Sequence, residues 1–190
     1  MPGLLEGHPL KSASKRKKAP KPSAPPPKSP KTIKWTPLGF GKYEGKTLPQ
    51  VLFKDPDWFF WTYKKGVFNK YPSHRYQADI IFAKARSIRI LQHGPEPLVA
   101  EYDSYPQDKS FSGFDIVPKS QPHHKGSTKT FRLDHIDMSI PIQQKNYDKL
   151  GYRLFLNSMK FHLFDSESIS MTKKRCEDFF TDPNNFHNNG

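Results

Sequence analysis

The sequence predicts an α+β protein, because short strand-like segments alternate with longer segments of helical periodicity. Aromatic residues make up 14 % of the 190 residues, which is enough for a core and excludes disorder of the whole chain. The net charge is +13, and no apolar run approaches a membrane span. We expect a disordered basic arm over 1–34, a β-hairpin and helix module over 35–94, and a second β-containing segment over 95–190.

The arm is rich in lysine and proline and contains a single acid, Glu6. This composition buries too little apolar surface to offset the entropy lost on folding, so we expect it to be disordered. Its densest basic run is Lys15, Arg16, Lys17 and Lys18. Such a run predicts contacts with phosphates, or a nuclear address if the host is eukaryotic; otherwise we expect a cytoplasmic protein. The alternative is a leader that only improves solubility.

Glycines and a capping pattern define the start of the module. Residues 39–43 predict a strand, 44–45 a tight turn, and 46–47 the return of a β-hairpin. Thr47 and Gln50 have the spacing of a capping box ahead of a short helix.

A second helix is predicted to begin at Asp55-Pro56, since Asp caps helices and Pro suits the first turn. Six residues, 58–63, form its body, and five of them are aromatic. Gly66 is suited to end it. Large aromatic side chains at helical spacing usually pack in a core, which is the structural interpretation of Trp58 and Trp61.

These segments resemble the small C-terminal module of exodeoxyribonuclease X-like proteins. The resemblance is carried by residues 39–48, Val51, Asp55-Pro56 and Trp61, and covers about residues 38–66. It implies an accessory role near nucleic acid. The exonuclease domain that usually accompanies the module uses clustered carboxylates and metal ions, whereas only Glu6 is acidic before residue 39. We therefore expect no catalytic residue, metal or cofactor, and no enzymatic activity; the alternative is a metal-dependent nuclease.

The predicted hairpin tip carries Lys42, Tyr43 and Lys46. Two cations flanking an aromatic ring suit phosphate contacts combined with base stacking. The alternative interpretation is that both lysines are ordinary surface residues.

A basic helix is predicted over 73–92, ended by Gly94-Pro95. One helical stripe contains Arg75, Asp79, Phe82, Arg86, Arg89 and His93. The neighbouring stripe, which we expect to pack against the module, contains Tyr76, Ile80, Ala83, Ser87 and Ile90. Three arginines on an exposed face, Arg75, Arg86 and Arg89, predict a phosphate track. The alternative is a solvated face with one arginine paired to Asp79.

The second half of the chain contains patterns of both strands and helices. Residues 114–117 and 130–140 predict strands that pair with each other. Residues 142–164 fit either a helix or a hairpin, and the helix is favoured because the stretch is long for strands. Residues 172–180 predict a final short helix, after which the last residues fray.

Potential catalytic groups are sparse. The only metal-like cluster comprises His123, His124, Asp134, His135 and Asp137. Adjacent strand residues point to opposite faces, so Asp134 and His135 are not expected to share an ion. His135 and Asp137 share a face, but two ligands do not make a metal site. Lys174 and Arg175 would lower the pKa of Cys176, but no Cys-His pattern accompanies it.

Together these features predict a non-enzymatic accessory protein that binds DNA or RNA with low sequence specificity. The alternative is an adaptor that docks a nuclease or another protein partner through exposed aromatics, Trp58 and Phe60. These two residues add apolar surface relative to the family pattern.

Overall fold

A computed structural model of the chain describes residues 33–123, 126, 128–143 and 149–187. The predicted basic run of the arm lies outside them. The helices are α1 (Leu48–Lys54), α2 (Pro56–Lys64), α3 (Pro72–Ala85), α4 (Ile140–Gln143), α5 (Lys149–Phe164) and α6 (Lys173–Thr181). The strands are β1 (Ile88–Arg89), β2 (Leu98–Ser104), β3 (Phe111–Pro118), β4 (Lys129–Leu133) and β5 (His135–Ile136). The predicted α+β class is confirmed.

Local sequence signals set the ends of α1 and α2 as predicted. Gln50 Oε1 accepts a hydrogen bond from the Thr47 N–H at 3.1 Å at the start of α1. Asp55 Oδ1 accepts one from the Trp58 N–H at 3.1 Å at the start of α2. Gly66 follows α2 in the left-handed region, at φ 68°. These polar groups occupy backbone donors that the first turn of a helix leaves without partners.

The predicted hairpin is a chain of turns, because residues 33–47, all of them described, contain no strand. Gly41 and Gly45 adopt φ of 74° and 78°, which breaks the extended backbone that a strand requires. The loop is closed by two hydrogen bonds, from Leu38 N–H to the Lys46 carbonyl and from Gly45 N–H to the Leu38 carbonyl. The prediction of a strand at 39–43 is therefore wrong.

Helix α3 ends at Ala85, earlier than predicted. Beyond it, β1 pairs antiparallel with β5, and the pairing buries Ile88 against Ile136. The buried face of α3 comprises His74, Gln77, Ala78, Ile81 and Ala85. Tyr76 and Ala83 of the predicted packing stripe are exposed, so that part of the prediction is also wrong.

The larger sheet has the strand order β3-β2-β4, with antiparallel pairing throughout. The two predicted strands each pair with β2 rather than with each other, which corrects the expected pairing. Tyr102 of β2 is buried at the centre, and its hydroxyl accepts a hydrogen bond from the Asp137 N–H at 2.8 Å. The rings of Phe114, Phe131 and Phe155 surround it.

Helices α5 and α6 confirm the two helices predicted in the second half. Behind α6 the chain packs back on the core. Phe186 is buried and forms an isolated antiparallel β-bridge with Ile88. The Lys84 ammonium donates a hydrogen bond to the Phe180 carbonyl at 2.5 Å. The predicted fraying would therefore begin only after residue 187, outside the described residues. No helix in the described ranges is both long and apolar enough to cross a lipid bilayer.

Candidate functional site

Lys42 and Tyr43 of the predicted hairpin tip are both bound to Asp55. The Lys42 ammonium lies 2.9 Å from Asp55 Oδ2, and the Tyr43 hydroxyl donates to the same oxygen at 2.5 Å. The hydrogen bond to Asp55 raises the pKa of Lys42. Burial alone would raise the pKa of Asp55, but hydrogen bonds from Lys42, Tyr43 and the Trp58 N–H lower it. The Tyr43 ring is buried, so its predicted stacking on a base is wrong.

The three arginines of the predicted phosphate track do not form one track. Arg75 Nε donates to Asp79 Oδ2 at 3.0 Å, which is the pairing considered as the alternative. Arg86 Nε donates to Asp137 Oδ2 at 3.3 Å. Arg89 lies on β1 rather than α3, and it donates to a backbone carbonyl. The prediction of one phosphate track is therefore wrong. Arg75 and Arg86 are paired with carboxylates, and α3 ends before Arg89.

A basic cleft of about 410 Å³ lies between α1 and α5. The side chains that make it basic are Lys46, Lys54, Arg153 and Lys160. No Asp or Glu lines the cleft, and none of these four cations forms an ion pair within the part of the chain that the structure describes. Of the predicted site residues that are described, only Lys46 lines this basic cleft.

Helix α5 presents two of these cations because of its periodicity. Arg153 and Lys160 are seven residues apart, so they lie on one line along the helix two turns apart. Tyr152, Phe155 and Met159 occupy the buried face and fix the rotation of the helix. The sequence of α5 contains no Asp or Glu that could pair with the cations along the helix.

Helix α1 supplies the opposite wall of the basic cleft. Lys46 precedes the helix, and Lys54 lies in its last turn. The Lys54 ammonium is 5.9 Å from the centre of the Tyr43 ring, a weak attraction that leaves the charge exposed. Between the walls, the buried side chains of Phe53 and Leu156 form an apolar floor.

A second depression of about 360 Å³ adjoins the basic cleft and shares Lys54, Arg153 and Leu156 with it. Its lining includes Asp55 and Asp57. Lys42 lines it too and pairs with Asp55, which cancels much of the field of both groups. The combined groove is therefore cationic at one end and mixed in charge at the other.

Neither aromatic residue of the adaptor hypothesis is exposed. Trp58 packs edge-on against Tyr43 and Phe68, and Phe60 is buried. Trp61 is instead the exposed aromatic of α2, at 54 %, and it borders an apolar depression of about 500 Å³. Phe60 is buried but lines the same depression, so the prediction is corrected for Trp58 alone.

Among the groups considered for catalysis, His124 lies outside the described residues, and the structure places the others as follows. Within the described ranges, no group of three or more His, Cys, Asp or Glu residues is arranged to hold a metal ion. Burial raises the pKa of the Cys176 thiol to about 12, which outweighs the lowering predicted from the adjacent cations. His135 is paired with Asp134 at 2.7 Å.

Comparison with known proteins yields no relative. No family model matches the chain, and neither a curated protein nor a solved structure matches it significantly. The resemblance of residues 38–66 to the exodeoxyribonuclease X-like module therefore stays a prediction.

Proposed function

We propose that this protein is a non-enzymatic nucleic-acid-binding protein that holds phosphates in the basic cleft between α1 and α5. The observation that carries the proposal is the convergence of Lys46, Lys54, Arg153 and Lys160 without a carboxylate partner among the described residues. Unpaired cations attract a polyanion and release its condensed counterions, which is the main source of affinity in non-specific nucleic-acid binding.

The chemistry of the basic cleft favours backbone contacts over base recognition. Lysine ammonium groups act as point charges on phosphates, and such contacts position a ligand without reading its sequence. Four phosphate contacts predict a log–log salt slope of about −3 on a single strand and about −4 on a duplex. The basic run of the arm adds to this slope if it also reaches phosphates.

The test compares two full-length triple variants that lose the same charge. The cleft variant is Lys54→Gln, Arg153→Gln and Lys160→Gln, and the control is Lys65→Gln, Lys70→Gln and Lys173→Gln. Both carry glutamine at Lys15, Arg16, Lys17 and Lys18, so that the arm does not mask the difference. Binding of a fluorescent oligonucleotide is measured by anisotropy over a salt series.

We expect the cleft variant to lose at least about 30-fold in affinity at low salt, and its salt slope to be smaller in magnitude by about 2. The control variant should lose only a few-fold, because its charges act from a distance. Equal losses in the two variants would contradict the proposal, since net charge alone would then explain binding.

A second candidate function, an adaptor for another protein, is favoured by one observation. Trp61 stands exposed beside an apolar depression that also includes Phe82 and Ile142. Exposed tryptophan beside an apolar depression is typical of interaction surfaces. In a pull-down, a partner bound by this surface should be lost with Trp61→Ala and retained with Tyr76→Ala, an even more exposed aromatic on α3.

A further inference from the structure

We infer that the basic cleft selects single-stranded over double-stranded nucleic acid, with Phe161 of α5 as a platform for a base. This inference rests on the proposed function, because it assigns the ligand class of the same site. It follows from where the exposed apolar side chains of α5 lie relative to its cations.

Phe161 and Leu154 each follow directly after a cleft cation in the sequence, Lys160 and Arg153 respectively. One residue advances a helix by about 100°, so the two apolar side chains form a line beside the line of cations. Both are exposed, Phe161 at 52 % and Leu154 at 59 %. A strand crossing α5 would therefore meet cations first and an apolar surface next.

The core does not use these two side chains. Helix α5 packs through Tyr152, Phe155 and Met159, and the Phe155 ring contacts both Phe111 and Phe114 of the sheet. Single exposed apolar residues are common on protein surfaces. Leu154 and Phe161, by contrast, form a pair two turns apart on one helix. They lie beside two cations that have no carboxylate partner in the described part of the chain, which indicates a binding surface more strongly than a single exposed residue does.

The alternation of cations and an aromatic ring matches the chemistry of a single strand. Its bases are unstacked and can lie on an aromatic face while its phosphates contact the cations. A duplex keeps its bases stacked inside, so it can use the cations of the basic cleft but not the Phe161 ring. Asn157 lies between the two lines, and its Oδ1 accepts a hydrogen bond from the Lys160 ammonium at 3.4 Å, which leaves its NH2 group to donate to a base.

The groove limits how far a strand can continue along it. Asp55 and Asp57 line the adjoining depression together with Lys42, and the pairing of Lys42 with Asp55 leaves little net attraction there for further phosphates. A strand that runs across α5 towards Phe161 avoids these carboxylates. The site therefore suits a short stretch of a single strand.

The experiment measures the affinity of oligothymidine and of a duplex of equal length at the same salt concentration. The full-length chain carries glutamine at Lys15, Arg16, Lys17 and Lys18. Three variants are compared in this background: Phe161→Ala, Phe161→Trp, and Tyr76→Ala as a control that removes an exposed aromatic elsewhere. Thermal unfolding checks that each variant is folded.

We expect at least about ten-fold tighter binding of the single strand, since stacking of one base on an aromatic ring is worth about that factor. Phe161→Ala should remove most of this preference, whereas its affinity for the duplex stays unchanged. Phe161→Trp should retain the preference, and Tyr76→Ala should have no effect. Phe161 is half exposed, so its truncation should leave the melting temperature nearly unchanged.

Equal binding of both ligands, or an equal loss for both in Phe161→Ala, would overturn this inference and leave the proposed function standing. An unchanged preference in Phe161→Ala would also overturn it. Absence of binding to either ligand would instead overturn the proposed function itself.

Discussion

The basic residues around α2 and α3 and those in the basic cleft differ in what surrounds them. Lys42, Arg75 and Arg86 each lie within 3.3 Å of a carboxylate oxygen. The ion pairs of Lys42 and Arg86 join separate segments of the fold, whereas that of Arg75 lies within α3. In the basic cleft, by contrast, Lys54 and Arg153 face each other across a gap without such a partner among the described residues. The first group holds the protein together, and the second is available to a ligand.

This difference shows why a count of basic residues does not locate a binding surface. An ion pair cancels much of the field that would attract a polyanion, and its members are also held in place by a neighbour. Clustered cations repel each other, so other interactions in the fold must hold them close together. Here the apolar packing of α1 and α5 does so.

Among changes that remove the partner of a paired cation, we expect the largest loss of stability at Asp137. Its side chain is buried and accepts hydrogen bonds from Arg86 Nε and from the N–H and hydroxyl of Ser139. Asp137→Ala should lower the free energy of unfolding by about 3 kcal/mol, because these donors lose their acceptor. Denaturation by urea measures this loss.

The matched control is Asp79→Ala, which removes the carboxylate from the exposed pair with Arg75. We expect that change to cost about 1 kcal/mol or less. Nucleic-acid affinity should not fall in either variant. A clear gain of affinity in Asp137→Ala, measured while the protein is folded, would show that the freed Arg86 belongs to the binding surface.

Asp55 should give a smaller effect that depends on pH. Asp55→Asn keeps a capping side chain but loses the charge bound by Lys42 and Tyr43, so we expect about 1 kcal/mol less stability at neutral pH. The folded-state pKa of Asp55 is below its ordinary value of 3.8. Its contribution is therefore present above that pH and is lost as the pH falls through the folded-state pKa.

The measurement is unfolding free energy against pH for the wild type and Asp55→Asn. The two curves should be separated at neutral pH and converge below about pH 4. A constant separation down to the lowest pH would contradict the ionic role of Asp55.

We expect the smallest effect when a carboxylate partner is introduced beside the cations of the basic cleft. Asn157→Asp places a carboxylate between Arg153 and Lys160 with little change of shape. Affinity for an oligonucleotide should fall about five-fold, whereas stability should change by less than about 0.5 kcal/mol. Asn69→Asp, beside the already paired Arg75, is the control and should leave affinity nearly unchanged. Equal losses would refute the assignment of the site.

Local signals allowed the ends of α1 and α2 to be predicted from the sequence. Capping by Gln50 and Asp55 depends on residues only three apart, so it can be inferred without knowing the fold. The extension of α3 to residue 92 was wrong because its apolar and basic periodicity continues into β1. The pairing of Ile88 with Ile136, which ends the helix, is a long-range contact.

The basic cleft could be predicted only in part for the same reason. The place of Lys46 beside a turn predicts a binding role from local sequence. Arg153 and Lys160, which line the same cleft, lie more than 100 residues further along the chain. The sequence does contain one usable signal, the absence of Asp and Glu from α5. The ion pair of Arg86 with Asp137 is equally non-local, so no helical pattern in the sequence could reveal it.

Lysine acetylation with and without a bound oligonucleotide, read by mass spectrometry, tests the central claim most directly. We predict that the ligand protects Lys46, Lys54 and Lys160, whereas Lys65 and Lys70 react equally in both samples. Protection confined to the lysines of the arm, or spread evenly over the surface, would contradict a binding site in the basic cleft.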